Sequence, residues 1–356
     1  MKRILILLAA LMAVLPAGAQ GFKFVEATNL TIVGKVFPNT PDPYKRMDYT
    51  KYTGWVEKDI NLLNTSAGII TVFRTDAPTI KMRAMVESGR PNTRGERGFD
   101  LYIKKDGKWT WAGSAAIPAG NNEYKECKLV DNMAPGVKEC LVYFPLFSVV
   151  TSAQVGVPEG CMLEPGEKPF KYNIVLYGSS FTHGSCSVRA GNTIPGFLTR
   201  MTGFQFNSLG VSGDAKMQPQ FLNALKDAEA DAFFFDTFSN PSPKEIRERT
   251  LGFIEGIQST HPGVPLIFIR SIYRENRNFD TVKDKNEAEK MAVADSIMAV
   301  AVKRYKDVYY IKSSNAASPD HETTTDGIHP SDFGYHIWAE SVRKPLVKIL
   351  KKYGIK

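Results

Sequence analysis

Four short stretches of the chain hold the side chains best suited to chemistry. The first is Gly178-Ser179-Ser180-Phe181-Thr182, where a glycine allows a tight turn and a serine hydroxyl can stand at its tip. The second is Gly210-Val211-Ser212-Gly213-Asp214, whose two glycines let the backbone approach a ligand and let Gly213 offer its amide to a developing oxyanion. The third is Asp236-Thr237-Phe238-Ser239-Asn240, which ends in a side-chain amide that is a second candidate oxyanion donor, or simply an Asn-Pro turn with Pro241. The fourth is Asp326-Gly327-Ile328-His329-Pro330. Imidazole as a residue type takes and returns a proton near neutrality, so His329 is the candidate general base. Asp326 lies in the same turn and can accept the other ring N–H, which would fix the tautomer. Each stretch alone also reads as ordinary turn or helix-cap chemistry.

Two rivals sit close to Ser180. His183 is a second possible base, although no Asp lies near it in the sequence, and Cys186 is a nucleophile on paper without a turn glycine at a strand end. The four cysteines Cys127, Cys140, Cys161 and Cys186 permit three pairings, or none if they are buried thiols. They form no Cys-x-x-Cys and accompany no paired histidines, so the spacing predicts no zinc site, and no cofactor is expected.

These stretches need a scaffold, and the alternation beyond residue 165 supplies one. Apolar strands are expected over Asn173–Tyr177, Phe206–Leu209, Ala232–Phe238, Pro265–Ile272 and Val308–Lys312, with helices near 192–202, 217–228, 243–260, 284–305 and 333–352. Strands apolar throughout, alternating with helices, predict a parallel sheet covered on both faces. Ligands bind beyond the carboxyl ends of such strands, where the four stretches fall. Before residue 165 the pattern has strand period, as over Thr79–Val86, and Lys105-Asp106-Gly107-Lys108 between two apolar runs predicts a hairpin. That half reads as an all-β sandwich without a long helix. Pro165, Gly166 and Pro169 mark the linker, giving expected units of 20–168 and 169–356.

Lys2 and Arg3, the apolar run Ile4–Leu15 and Ala17-Gly18-Ala19 predict a cleaved export signal over residues 1–19. The run falls short of the about 20 apolar residues that a membrane span needs. A periplasmic or extracellular protein is therefore expected, with no membrane span. The chain has 356 residues, of which 43% are hydrophobic and 23% charged, which excludes disordered, collagen-like and coiled-coil classes. The formal net charge of +8 drops by two, to +6, without the export signal. With no basic run and no DNA-binding spacing, this is no nucleic-acid footprint.

Serine, glycine, asparagine and histidine following strands one, two, three and five resemble the blocks of the SGNH (GDSL-type) serine hydrolases, across about 170–350. Aligned on Gly178, that resemblance puts the nucleophile on Ser180, with Ser179 where the family has Asp, a departure shared with Gly-Thr-Ser branches. It assigns oxyanion donors to the amides of Ser180 and Gly213 and the side chain of Asn240, and the final Asp-x-x-His-Pro block matches Asp326–Pro330 in full. The third block lacks its usual glycine. Upstream, Gly98-Phe99-Asp100-Leu101-Tyr102 resembles the Gly-x-Asp-Leu-Tyr signature of a β-rich domain that precedes such hydrolases, and it either shapes the contact between the halves or lines the active site.

The resemblance implies a flavodoxin-like α/β three-layer sandwich with a five-stranded parallel sheet behind a β-sandwich. It also implies an exported serine esterase that removes acyl groups, acetyl foremost, from glycans. An esterase, lipase or thioesterase for small or lipidic acyl groups is the alternative, and an inactive glycan-binding protein is the third reading. The substrate is an acylated glycan or small ester. Arg189, and Arg274 in the polar segment Tyr273–Asp284, are candidate sugar contacts, and Trp109, Trp111 and Trp338 either stack on sugars or belong to the core. The oligomeric state is not legible.

Overall fold

The structure, a computed structural model, describes residues 21–87, 93–118, 123–313 and 318–356. The expected export signal over 1–19 lies outside the described residues. Among the described residues no helix is long and apolar enough to cross a membrane.

The first half is built from β1 (Phe22–Glu26), β2 (Thr31–Val33), β3 (Ile70–Thr75), β4 (Ile80–Glu87), β5 (Gly98–Lys105), β6 (Lys108–Ala116), β7 (Lys125–Val130), β8 (Lys138–Tyr143), β9 (Val149–Pro158) and β10 (Leu163–Pro165). One sheet runs β1-β9-β4-β7 and the other β10-β3-β8-β5-β6, with β2 also on β3. In β4 every second residue is buried, and Ile80, Met82, Ala84 and Val86 meet Phe73, Leu101 and Val142 of the facing sheet. Asp106 (φ +50°) and Gly107 (φ +75°) make the β5–β6 turn, and positive φ at both central positions is the hairpin geometry that Asp-Gly favours.

The second half holds an all-parallel sheet of β11 (Lys171–Gly178), β12 (Phe204–Gly210), β13 (Ala232–Asp236), β14 (Leu266–Ile269) and β15 (Val308–Ile311), in the order β12-β11-β13-β14-β15. Val175 and Tyr177 of β11 face one core layer, and Ile174 and Leu176 face the other. Counting from the amino end, the helices are α1 (Glu57–Leu63), α2 (Arg94–Arg97), α3 (Ser180–His183), α4 (Ile194–Thr202), α5 (Pro219–Lys226), α6 (Pro243–Thr260), α7 (Thr281–Arg304) and α8 (Asp332–Leu350). Helices α5, α6 and α7 cover one face of the parallel sheet, and α4 and α8 the other.

Several boundaries move from those expected. The third strand stops at Asp236 and the fourth at Ile269, although Phe238 and Ile272 beyond them stay buried in the two core layers. The first half also carries α1, within a segment over 34–66 that adds no strand to the sandwich but sends Tyr44 into its core, where the ring stacks on Phe144 and the hydroxyl donates to the Ala153 carbonyl at 3.3 Å. Val36, Met47, Leu62 and Leu63 from this segment share a core with Val175, Leu209 and Phe235 of the parallel sheet. The fully buried Arg46 donates to the carbonyl of Gly210 at 2.7 Å and to that of Leu62. Burial pushes its guanidinium down to about 9.

All four cysteines are free thiols, so none of the three pairings forms. Burial pushes Cys127 and Cys140 each up to about 12.

Candidate active site

The site stands at the carboxyl end of the parallel sheet. β11 ends at Gly178, and Ser179 caps α3 by accepting from the amide of Phe181 at 3.1 Å. A Cβ at Gly178 would lie 2.7 Å from that of Asp236, so glycine is required where the two strand ends meet. The Ser180 hydroxyl that follows lies 3.0 Å from Nε2 of His329. The other ring nitrogen lies 2.7 Å from Oδ2 of Asp326. A carboxylate only accepts, so Nδ1 carries the proton and Nε2 presents its lone pair to Ser180. Asp326 Oδ1 accepts from the amides of Ile328 (2.9 Å) and His329 (2.7 Å). Burial raises the Asp326 carboxyl, but the His329 amide and ring outweigh it, and the group titrates below the usual carboxylate range. Ser180, His329 and Asp326 thus converge, from segments 149 residues apart.

The other expected residues lie on the loops that follow β12 and β13. Gly213 has φ +75°, a left-handed conformation suited to glycine. Asn240 accepts from the amide of Ala215 at 3.2 Å, which ties its carbonyl end to the Gly213 loop and leaves the NH2 end as a donor.

Arg189 and Arg274, expected to meet sugars, are both engaged by protein carboxylates. Arg189 donates to Asp100 at 3.2 Å and lies over the Trp111 ring. Arg274 pairs with Glu287 at 2.9 Å and donates to Ser239, the neighbour of Asn240, at 2.7 and 2.9 Å. The segment around Arg274 braces the catalytic loop. Glu275 accepts from the amides of Thr323 (2.8 Å) and Thr324 (3.0 Å) and from both hydroxyls, and Asn276 donates its amide to Gly327. Trp338 belongs to the core, whereas Trp111 is half exposed and donates to Asp100 at 2.9 Å.

The signature on β5 makes one contact between the halves. Fully buried Asp100 also accepts from the amide of Gly191 at 3.0 Å, and Tyr102 donates to Asn192 at 3.2 Å. Asn192 in turn donates to Asp332, in the first turn of α8 and three residues past His329, at 2.6 Å. A Cβ on Gly191 would lie under 3 Å from Asp100 and Tyr102, so only glycine fits this crossing.

His183 is fully buried, and its ring contacts Leu146 and Ser212. The Leu146 carbonyl lies 2.8 Å from Nε2, which must therefore carry the proton, and Nδ1 accepts from Ser212 at 3.2 Å. The imidazole thus links the β-sandwich to the loop of Gly213. Cys186 is exposed, and burial and the Asp326 carboxylate push its thiol up, so it is no ready nucleophile. Among the described residues, one set could hold a metal ion: ligand atoms of Cys186, Asp326 and His329 lie within 4.8 Å of one another.

The residue sequence reasoning misses is the role of Asp236. Its Oδ2 accepts from the Ser179 hydroxyl (2.7 Å) and amide (3.1 Å) and from the Thr182 hydroxyl (3.1 Å). It therefore clamps the nucleophile turn from below, in a motif where Ser179 replaces an acid. Burial pushes Asp236 up to about 6, against the lowering effect of these bonds. A carboxyl raised in the folded state binds its proton more tightly there than unfolded. Its stabilisation is complete below the unfolded value of about 4 and is lost as pH rises through about 6. The melting temperature of the protein relative to Asp236→Asn should fall across that interval, and parallel pH curves for the two would refute this assignment.

Residues 171–347 match the model of the GDSL-like lipase/acylhydrolase family, and residues 22–163 match that of the GxDLY domain, the N-terminus of SGNH-hydrolase-type esterases. The chain is 38% identical to a protein described as a GDSL-like lipase from Bacteroides ovatus, covering 93% of this chain and 98% of that one with a TM-score of 0.88. A salicylyl-acyltransferase from a tetracycline biosynthetic pathway is 21% identical, with coverage of 92% and 97% and a TM-score of 0.71. A family two carbohydrate esterase from Cellvibrio japonicus is 12% identical, with coverage of 93% and 99% and a TM-score of 0.62, and these last two share the fold. No curated protein matches the chain.

Proposed function

Since the chain belongs to the GDSL-like lipase/acylhydrolase family and is a serine ester hydrolase, we propose that it removes acetyl or similar small acyl groups from carbohydrates outside the cytoplasm. The hydrogen-bonded run from Asp326 through His329 to Ser180 carries the mechanistic part of this reading. His329 takes the Ser180 proton as Oγ attacks the ester carbonyl. The amides of Ser180 and Gly213 and the Asn240 side chain hold the tetrahedral oxyanion, each such donor being worth on the order of 3 kcal/mol. His329 then protonates the leaving alcohol, and later activates the water that frees Ser180.

The carbohydrate part is supported by the room beside the site. A cleft of about 640 Å³ runs between Arg94, Glu96 and Phe147 of the first half and Gly184, Cys186 and Val188 of the second. Arg94 and Glu96 give this otherwise largely apolar cleft the few polar groups that could meet sugar hydroxyls. The family two carbohydrate esterase has the same two-part fold. Against a series of chromogenic esters, kcat/KM should be at least tenfold higher for acetyl than for octanoyl, and acetylated oligosaccharides should release acetate. A preference for octanoyl would refute the substrate assignment. Export is tested on the same material: protein recovered from the cell envelope or medium should begin at Gln20, and an intact Met1 would refute it.

A further inference from the structure

We propose that Cys186, Asp326 and His329 form an inhibitory site for a thiophilic divalent cation, with Zn2+ as the reference ion. Cys186 has a left-handed backbone (φ +64°) at the end of a loop that Tyr335 pins by donating to the Ser185 carbonyl at 2.8 Å. The thiol is thereby held over the catalytic pair, with Sγ 4.0 Å from Asp326 Oδ2. Sulfur, nitrogen and carboxylate oxygen all lie within 4.8 Å of one another. Ligands around tetrahedral zinc lie about 2.0–2.3 Å from the ion, hence roughly 3.3–3.8 Å apart. A rotation of the exposed thiol and a slight opening of the Asp326–His329 contact meet that requirement. The mixed S, N, O set suits zinc better than calcium or magnesium, which favour oxygen alone. The fourth position stays open to water.

The consequence for the reaction follows from the tautomer. The ion takes the Nδ1 lone pair of His329, so the ring proton moves through solvent from Nδ1 to Nε2. The thiol proton leaves to bulk as the sulfur–metal bond forms. Nε2 then carries hydrogen and has no lone pair for the Ser180 proton. Binding thus removes the base without touching the nucleophile or the Gly213 loop. Sequence spacing predicts no such site because Cys186 and Asp326 are 140 residues apart.

The inference rests on the assigned role of His329, so the test separates metal binding from turnover. Hydrolysis of a chromogenic acetyl ester by the full chain should be inhibited by micromolar Zn2+ and restored by EDTA. Cys186→Ala and Cys186→Ser should each need at least tenfold more Zn2+ for half inhibition, measured against that variant's own metal-free rate. Cd2+ added to the inert Ser180→Ala protein should give the ultraviolet thiolate-to-metal band, and adding Cys186→Ala should abolish it. Equal Zn2+ sensitivity with and without the thiol, or no band, overturns the proposal. A band in Ser180→Ala together with no ester hydrolysis by the unsubstituted chain overturns the hydrolytic reading and leaves the metal site standing.

Discussion

Ser180→Ala should lower kcat by on the order of 10⁴- to 10⁶-fold and leave the fold intact, whereas Ser179→Ala should do nearly the reverse. The two serines are adjacent, and the structure gives them opposite duties. The Ser180 hydroxyl faces His329, so an alanine there removes the attacking atom and keeps the amide at the same place. The residual rate would come from binding and the oxyanion donors. The Ser179 hydroxyl instead binds Asp236 and caps α3. Its loss leaves a buried carboxyl short of one donor and should cost about 1–3 kcal/mol of stability, with kcat within about tenfold. In the same series Asn240→Ala should fall between, at about 10²- to 10³-fold in kcat. Steady-state kinetics with thermal melts of each variant give the comparison. A Ser179→Ala protein as inert as Ser180→Ala would undo the alignment on Gly178.

The second large effect is expected at Asp326, where asparagine should be worse than alanine. Asp326 Oδ1 accepts from two backbone amides, of Ile328 and His329. In Asp326→Asn those amides hold the side-chain carbonyl in that position, so the NH2 end must face Nδ1 of His329. Nδ1 is then forced to accept, the ring proton sits on Nε2, and the lone pair facing Ser180 is lost. The expected loss in kcat is about 10³- to 10⁴-fold. Alanine removes the carboxylate but leaves the tautomer free, so Asp326→Ala should retain at least tenfold more activity than Asp326→Asn. Equal activities, or the opposite order, would show that the charge of Asp326 matters and its hydrogen-bond direction does not.

The Asp-Gly hairpin and the five parallel strands are legible in the sequence because each depends on local pattern: a two-residue turn, or an apolar run between helices. Ser180, Gly213, Asn240 and His329 are legible for the same reason, since each follows a strand and the end of a parallel sheet gathers whatever follows its strands. What is not legible depends on contacts between distant residues. Glu275 looks like one more charge in a polar segment until the fold sets it against Thr323 and Thr324. Asp236 looks like the end of a strand until its carboxyl is seen under Ser179. His183 looks like a base because it lies three residues from Ser180, yet that spacing turns its ring toward Leu146 and Ser212. α3, at four residues, is too short to leave a periodic signal.

The segment over 34–66 has a consequence for how such proteins can be assembled by recombination. It precedes β3 in the chain, yet it lays Val36, Met47, Leu62 and Leu63 against the parallel sheet and seats Arg46 on Gly210, one residue ahead of the Gly213 loop. The last strand of the sandwich and the first of the parallel sheet are only a few residues apart, so the linker between them looks like a convenient crossover point. A crossover there would inherit the whole parallel sheet without the patch that covers part of its face. The heritable unit of this enzyme therefore runs from the first β-strand to the last helix. Exchanging substrate specificity by swapping front halves would succeed only between parents whose 34–66 segments fit each other's sheets.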